Sequence, residues 1–315
     1  MPGSVDVIIP VYRPDAGFLA VISALFSQSV RPGRVILLET LDEDGASALP
    51  EGIAAFPVEI YPVLPEEFDH GHTRNEGIHK SSADHVLFMT QDALPADDQL
   101  IEKLLEPFFE YPLLAASYAR QLPRENAGKI EACTRAFNYP ETSLYKSKEN
   151  MEELGIKSIF LSDVCAMYDR KKFVELGGFV DRTIFNEDMI YAYTALEAGY
   201  GVFYQAEAKV YHSHHYSGKE NFRRNFDLAV SQADHPEVFE RFPSEGEGMK
   251  LVRETASKLV KSGSWYLVFP LVYESGMKYL GYHYGKRYRK LSARRVQRCT
   301  MNRNYWRGTK WDRSK

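Results

Sequence analysis

A short apolar run from Val86 to Met89 gives way abruptly to Thr90-Gln91-Asp92-Ala93, and this boundary constrains the fold more than any other stretch. The run is typical of a buried strand, which Pro95 prevents from continuing far. Open α/β sheets bind ligands beyond the carboxyl ends of their strands, where Asp92 would lie. Its carboxylate oxygens suit Mg²⁺ or Mn²⁺, although a turn or helix-capping role fits the sequence equally well.

Apolar runs alternate with helical patterns along the first two thirds of the chain. The patterns predict strands at 4–12, 34–39, 58–63, 86–89, 113–118, 201–204 and 209–211, and helices at 15–28, 71–82, 97–109 and 185–199. Residues 120–157 are polar and read as a long irregular loop. The alternation predicts an α/β fold with a mainly parallel sheet flanked by helices, and further helical patterns at 217–235, 247–262 and 265–291 predict a helical C-terminal extension.

Two further polar groups end predicted elements and would lie on the same rim of such a sheet. Asn186-Glu187-Asp188 begins a helix, and His212 follows a strand. Asp92 and His212 together make a plausible site for Mg²⁺ or Mn²⁺ bound to a diphosphate, and Asp188 could deprotonate a hydroxyl group. The alternative for Asp188 is a favourable charge at a helix N-terminus, worth about 0.3–1 kcal/mol.

The charge of the chain is unevenly distributed. The net charge is −4, but residues 286–315 hold 12 Lys/Arg and one acidic residue, which leaves 27 basic and 42 acidic groups in residues 1–285. A basic end favours an anionic partner surface. Membrane lipid and nucleic acid both meet that condition, but we find no recognised nucleic-acid-binding module and expect no such partner. Because we find neither a secretory signal nor a membrane-spanning run, we expect a cytoplasmic protein.

An ordered set of motifs covering roughly residues 4–216 resembles the inverting family 2 glycosyltransferases, whose fold is the Rossmann-like GT-A fold. The matching segments are Val7-Ile-Ile-Pro-Val-Tyr-Arg-Pro14, Gly71-His-Thr-Arg-Asn-Glu-Gly77, Leu87-Phe-Met-Thr-Gln-Asp92, Asn186-Glu-Asp188 and His212. They resemble the first strand of the nucleotide site, the Arg-Asn-x-Gly motif, the Asp-x-Asp strand, the catalytic base motif and the metal-binding histidine. Two positions depart from the family pattern. Thr90 replaces the first Asp of Asp-x-Asp, and Glu39-Thr40 stands where an acidic pair is usual.

The resemblance implies sugar transfer with inversion, in which Asp188 deprotonates the acceptor while Asp92 and His212 hold Mg²⁺ or Mn²⁺ at the donor diphosphate. It also implies substrate-binding roles for Pro10, Tyr12, Arg13, Glu39, Thr40, Asp69, Arg74, Gln91, Asp163 and Glu187. For Arg74 and Asp163, a structural role in tying loops together or holding a buried turn is equally compatible.

Within the family, Thr90–Ala93 together with residues 68–75 looks most like bacterial rhamnosyltransferases. That resemblance implies dTDP-β-L-rhamnose as the donor and a saccharide acceptor, expected to be linked to polyprenyl diphosphate, in cell-surface polysaccharide synthesis. The alternatives are a UDP-hexose or UDP-N-acetylhexosamine donor, or a non-catalytic subunit that binds a nucleotide sugar. A dinucleotide-binding oxidoreductase is disfavoured because no Gly-x-Gly-x-x-Gly follows the first strand.

We expect a catalytic domain at 1–240 and a basic helical extension at 241–315. In the extension, aromatic and apolar residues recur every three or four positions, at Trp265, Phe269, Val272/Tyr273, Gly276, Leu280, Tyr284 and Tyr288. This stripe predicts a helix that packs on the catalytic domain or on a second subunit of a homodimer. It also fits a helix at an anionic lipid surface, which would place the protein peripherally on the inner face of the bacterial plasma membrane.

Overall fold

The structure, a computed structural model, describes residues 3–214 and 216–312. The chain forms two compact units. Unit 1 contains the chain up to Arg124 together with Tyr139–Asp181 and Glu187–His212, and unit 2 contains Glu125–Asn138, Arg182–Asn186 and the chain from Ser213 onward. The functional boundary expected near residue 240 stays a prediction.

The described part of unit 1 contains one mixed, mostly parallel sheet of nine strands. The strands are β1 Val5–Val11, β2 Arg34–Thr40, β3 Val58–Val63, β4 His85–Met89, β5 Leu94–Pro95, β6 Leu114–Leu122, β7 Leu144–Lys146, β8 Cys165–Asp169 and β9 Gly201–Tyr211. Their order is β3-β2-β1-β4-β8-β6-β9-β5, with β7 paired to β9. Strands β1 to β4 pair in parallel, whereas β8 runs antiparallel to both β4 and β6.

The α-helices of the described residues are α1 Phe18–Phe26, α2 His70–Lys80, α3 Leu100–Glu110, α4 Lys129–Asn138, α5 Met151–Leu154, α6 Ile156–Ile159, α7 Arg170–Glu175, α8 Glu187–Glu197, α9 Gly218–Asp234, α10 Pro236–Phe239, α11 Glu245–Lys261, α12 Val268–Lys286 and α13 Ala293–Cys299. Helix α1 shows how the pattern specifies packing. Phe18, Ile22 and Leu25 recur every three or four residues and are fully buried in the core that contains β1. Each contributes about 1.5–3 kcal/mol by leaving water.

The fold class predicted from the sequence is confirmed, and two of its details are wrong. The stretch 120–157 is not an irregular loop, because it holds the end of β6, all of α4, β7 and α5. Residues 201–211 form one strand rather than two, and a register shift against β6 near Ala119/Arg120 interrupts its alternation. Such an irregularity breaks the period-two pattern on which a strand prediction depends.

Unit 2 is helical, and α12 packs closely along α9. Gly281 and Gly285 are buried on the face of α12 that meets α9. A Cβ atom at Gly281 would lie 2.0 Å from the carbonyl oxygen of Phe222, and one at Gly285 would lie 2.3 Å from that of Phe226. The two glycines therefore allow the backbones to approach where any side chain would separate them. None of the helices in 3–214 and 216–312 is long and apolar enough to span a bilayer.

Candidate active site

Asp92 and His212 meet at the end of the sheet because β5 pairs with β9. Leu94 lies opposite Tyr211 in this antiparallel pair, so the residues just before β5 and just after β9 are neighbours. The Asp92 Oδ2 atom lies 3.4 Å from His212 Nε2. The His212 side chain is buried, whereas the Asp92 side chain is 21% exposed. The two residues expected to hold a metal ion thus lie next to each other.

Gln121, on β6, fixes the orientation of His212. Its Oε1 atom is 3.0 Å from His212 Nδ1, and the backbone N–H of His212 donates to the Leu122 carbonyl at 3.0 Å. A neutral ring that donates through Nδ1 presents the lone pair of Nε2 to Asp92. A carboxylate and an imidazole lone pair facing each other at this distance fit a divalent cation such as Mn²⁺ or Mg²⁺.

Arg74 lies at the centre of a second group of charged side chains. This arginine is buried in α2, with Nε 3.2 Å from Asp163 Oδ2 and Nη1 3.2 Å from Glu187 Oε1. Asp188 completes the group, because its Oδ2 atom accepts the backbone N–H of Asp163 at 3.2 Å. Tyr168 donates its hydroxyl hydrogen to Asp163. One buried cation therefore faces two carboxylates, and a third lies next to them.

This concentration of buried acids changes their proton affinities. Burial raises the pKa of Asp163 to about 7, although the Arg74 guanidinium acts in the opposite direction. Burial, followed by the nearby carboxylates of Glu187 and Asp163, raises the pKa of Asp188 well above its usual value. A carboxylate with a raised pKa binds a proton more readily and is suited to general-base chemistry near neutral pH.

The two groups lie along the same edge of the sheet. Met89 pairs with Cys165 in the antiparallel β4–β8 ladder, and Thr90 N–H donates to the Val164 carbonyl at 3.1 Å. Continued beyond the ends of the two strands, this register places Asp163 beside the residues that follow β4 and lead to Asp92. Gln121 also donates to Ser162 Oγ at 2.9 Å. Gln121 thus connects His212 to Ser162, the residue before Asp163.

The loop after β1 is tied to the loop after β4 by Gln91. Its side-chain Oε1 accepts the backbone N–H of Tyr12 at 2.8 Å, and its Nε2 donates to the Tyr12 carbonyl at 3.1 Å. Pro10 lies within β1, and Arg13 has a backbone φ of 44° and an exposed ion pair with Asp42 at 2.6 Å. Gln91 thereby has a structural role, and the predicted substrate contacts of all four residues stay predictions.

Three more residues expected near the nucleotide have defined surroundings. Glu39 accepts hydrogen bonds from Ser47 Oγ at 2.6 Å and from the Ala48 backbone at 2.9 Å. Thr40 is buried, and its hydroxyl has no hydrogen-bond partner among the described residues. Asp69 caps α2 by accepting the backbone N–H groups of the residues two and three positions ahead, each at 3.0 Å. Whether any of the three binds substrate stays a prediction.

Comparison with known proteins identifies the class to which this fold and site belong. The family model for glycosyl transferase family 2 matches residues 6–177. Mannosyltransferase PcManGT from Pyrobaculum calidifontis, in complex with GDP-Man and Mn²⁺, has a similar fold with a TM-score of 0.61, 15% identity and coverage of 92% of this chain and 89% of its own. Staphylococcus aureus TarS 1–349 in complex with UDP aligns with a TM-score of 0.52, 13% identity and 91% coverage of each chain.

Two curated proteins resemble the chain along nearly its whole length. The O-antigen chain rhamnosyltransferase RfbN of Salmonella typhimurium is 35% identical over 313 residues, which cover 99% of this chain and 98% of that protein. The O-antigen chain rhamnosyltransferase WbaN of Salmonella anatum is 33% identical over 315 residues with the same coverage. The chain belongs to glycosyl transferase family 2 and is a glycosyltransferase with a GT-A-like fold, as its motifs predicted.

Proposed function

We propose that this glycosyltransferase transfers L-rhamnose from dTDP-β-L-rhamnose, with inversion, to a saccharide acceptor in bacterial cell-surface polysaccharide synthesis. The donor assignment is supported by two rhamnosyltransferases that are 33% and 35% identical along 98% of their lengths. The reaction assignment depends on one observation, the buried Asp188 carboxylate whose pKa is raised beside Asp163.

Asp188 is the catalytic base in this proposal. Inversion requires the acceptor hydroxyl to attack the anomeric carbon from the face opposite the leaving diphosphate, through an oxocarbenium-like transition state. The acceptor proton is transferred to an Asp188 oxygen during that attack. Arg74 holds Asp163 and Glu187 beside the base, so that their negative charges raise its proton affinity. Asp163 and Glu187 are also proposed to contact the sugars.

Asp92 and His212 are proposed to hold Mn²⁺ or Mg²⁺. When bound there, the cation offsets the negative charge that develops on the departing diphosphate. Gln121 keeps the His212 lone pair directed at the site. The residues proposed to contact the nucleotide part of the donor are Pro10, Tyr12, Arg13, Glu39, Thr40, Asp69, Arg74 and Gln91.

We test the donor by thermal shift with dTDP, UDP and GDP, each with and without Mn²⁺. A ligand that binds only the native state stabilises it by about 2.7 kcal/mol at 100 times its Kd, so the preferred base gives the largest shift. We expect dTDP with Mn²⁺ to give it. A larger shift with UDP would mean that the donor is a UDP-linked sugar rather than dTDP-rhamnose. A shift of the same size with and without Mn²⁺ would contradict the proposed metal site. Release of dTDP from dTDP-rhamnose would exclude a non-catalytic binding subunit.

The acceptor is proposed to be linked to a polyprenyl diphosphate, with the enzyme attached peripherally to the inner face of the plasma membrane. The excess of 11 positive charges in residues 286–315 supports attraction to anionic lipid. Deleting this segment would be a poor test, because Tyr288, Val296 and Trp306 belong to the core of unit 2. Neutralising exposed cations leaves that core intact.

We therefore compare the double variant Arg294→Gln/Arg295→Gln with the matched control Arg31→Gln/Lys171→Gln, in which two exposed cations of unit 1 are removed. Each cation near an anionic surface contributes about 1 kcal/mol, so the first variant should bind phosphatidylglycerol vesicles about 30-fold more weakly at low salt. The control should bind like the wild type. Equal losses in both variants, or none in either, would contradict a specific role for the basic segment.

A further inference from the structure

Helix α12 and the 3₁₀ turn before it, Trp265–Leu267, present a wide apolar face to solvent. The opposite face of α12 is occupied, since Gly281 and Gly285 lie against the backbone of α9. The outward positions are exposed, with Trp265 at 63%, Phe269 at 73% and Tyr273 at 61%. The other exposed large side chains of this face are Tyr266, Val272, Tyr279, Leu280 and Tyr284. The stripe predicted from the sequence is thus exposed from Trp265 to Tyr284, whereas its last member, Tyr288, is buried.

This outward face has no charged residue between Trp265 and Lys286. Within that fully described stretch, the charged side chains before Lys286 are Glu274 and Lys278, and both are partly buried. Burial lowers the pKa of Lys278. The polarity of the helix is therefore inverted relative to a solvated surface helix, with aromatic residues outside and ions toward the protein.

Several residues on the two sides of Gly276 are similar or complementary to each other. Four pairs of residues lie at equal sequence distances on the two sides of this glycine: Tyr273 and Tyr279, Val272 and Leu280, Phe269 and His283, and Trp265 and Arg287. A Cβ atom at Gly276 would meet nothing within 4 Å, so the centre of the face is open to a close neighbour. An antiparallel copy of the same helix, crossing at Gly276, would place each residue opposite the other member of its pair.

From this complementarity we infer that α12 pairs antiparallel with α12 of a second copy, which forms a two-fold symmetric dimer centred on Gly276. Such an interface is self-complementary, as two-fold symmetry requires. Val272 then meets Leu280, the tyrosines meet each other, and the Trp265 ring receives the Arg287 guanidinium of the other copy in a cation–π contact. If most of the exposed surface of the eight large side chains leaves water, each copy buries on the order of 800 Å², the size of a standard interface.

A second copy fits this face better than lipid does. Tyr and Trp are enriched at protein interfaces, and four tyrosines lie on this surface, at positions 266, 273, 279 and 284. Helices that lie in a membrane surface combine an apolar face with a polar face rich in Lys and Arg that remains in water. The polar side of α12 is instead packed within unit 2, where Gly281 and Gly285 meet α9.

The register is tested with charges at one symmetric pair in the full-length chain. Light scattering coupled to size exclusion at about 10 µM should give twice the 36.1 kDa mass of one chain for the wild type. Val272→Glu and Leu280→Lys should each weaken the dimer at least about 100-fold, because each buries unpaired charges. The double variant should be dimeric again, since antiparallel pairing places each Glu opposite a Lys.

Phe109→Glu is the matched control, because Phe109 is 62% exposed but belongs to α3 of unit 1, and it should remain dimeric. Circular dichroism verifies that each variant is folded. A monomeric wild type, or a Val272→Glu variant that stays dimeric, would overturn the inference. So would a double variant that stays monomeric. Flotation with zwitterionic vesicles that is lost in Val272→Glu, with no dimer at any concentration, would assign the face to lipid instead.

Discussion

Two groups of side chains at one edge of the same sheet place their carboxylates in opposite surroundings. The Asp92 side chain is 21% exposed beside His212, whereas the Asp163 side chain is 4% exposed and lies against Arg74 and Asp188. An accessible carboxylate beside an imidazole suits a cation that arrives with its ligand. A buried group of acids suits proton transfer, because burial favours the neutral form and raises the pKa. Burial therefore assigns different chemistry to the same type of residue.

Asp188→Asn should show the largest effect. The amide keeps the size of the side chain but cannot accept the acceptor proton, so we expect kcat to fall about 10³-fold. Binding of dTDP with Mn²⁺ should remain at the wild-type level, because the metal pair is intact. Asp181→Asn is the matched control at an exposed carboxylate and should leave kcat unchanged. A parallel loss of nucleotide binding in Asp188→Asn would mean that the two groups do not have separate roles.

Arg74→Met should have the next largest effect, measured as thermal stability. Removing the buried guanidinium leaves Asp163 and Glu187 without their cation, which costs about 3–5 kcal/mol. We expect the melting temperature to fall by about 10 °C. Arg13→Met is the control, since its ion pair with Asp42 is exposed and is worth about 1 kcal/mol or less. Similar losses in the two variants would show that burial does not distinguish them.

Gln121→Ala tests the metal pair through its neighbour. Without the Gln121 amide, the His212 ring loses the hydrogen bond that orients it, and Mn²⁺ affinity in the presence of dTDP should fall about 10- to 100-fold. The effect should appear in titration calorimetry and be overcome in activity assays by excess Mn²⁺. Gln205→Ala removes a comparable buried amide that bonds to Ser143, and it should not change Mn²⁺ affinity. Equal effects would indicate general destabilisation.

The smallest predicted effect concerns pH. Since burial and the neighbouring carboxylates raise the pKa of Asp188 well above its usual value, kcat/KM should fall about tenfold for each pH unit below that raised pKa, and the fall should begin well above pH 4. The fall occurs on the acid side because the base must be ionised to accept a proton. An acid limb near pH 4, the value of an exposed carboxylate, would place the base outside the buried group.

Strand ends were the informative part of the sequence. The polar residues after β4 and β9 were recognisable because each interrupts an apolar run, and β5–β9 pairing brings Asp92 and His212 together. The contact between Asp163 and Asp188 was not predictable, because it depends on β8 running antiparallel to β4. Gln121 was missed for a related reason. A single Gln at the end of a strand has no motif, and its role appears only when Ser162 and His212 are placed beside it.

Helix α12 shows a different limit of sequence periodicity. The spacing predicted one helix with an aromatic stripe over 265–291, and α12 covers 268–286 of it, between short 3₁₀ turns at Trp265–Leu267 and Tyr288–Lys290. Periodicity indicates that the helix has two different faces, but it does not indicate which face packs against the rest of the protein. Gly281 and Gly285 determine that, because they permit backbone contact with α9 that no larger side chain allows. Close backbone approach is a property of the partner helix as much as of the glycines, and it could not be inferred from α12 alone.

The most direct test of the division between metal site and base is the anomalous scattering of Mn²⁺ in crystals grown with dTDP. We predict one strong peak that contacts Asp92 and His212, with Asp188 outside the coordination shell and the Arg74–Asp163 ion pair unchanged. A peak bound to Asp163 or Asp188 would contradict the proposed roles. So would a nucleotide diphosphate located away from the Asp92–His212 pair.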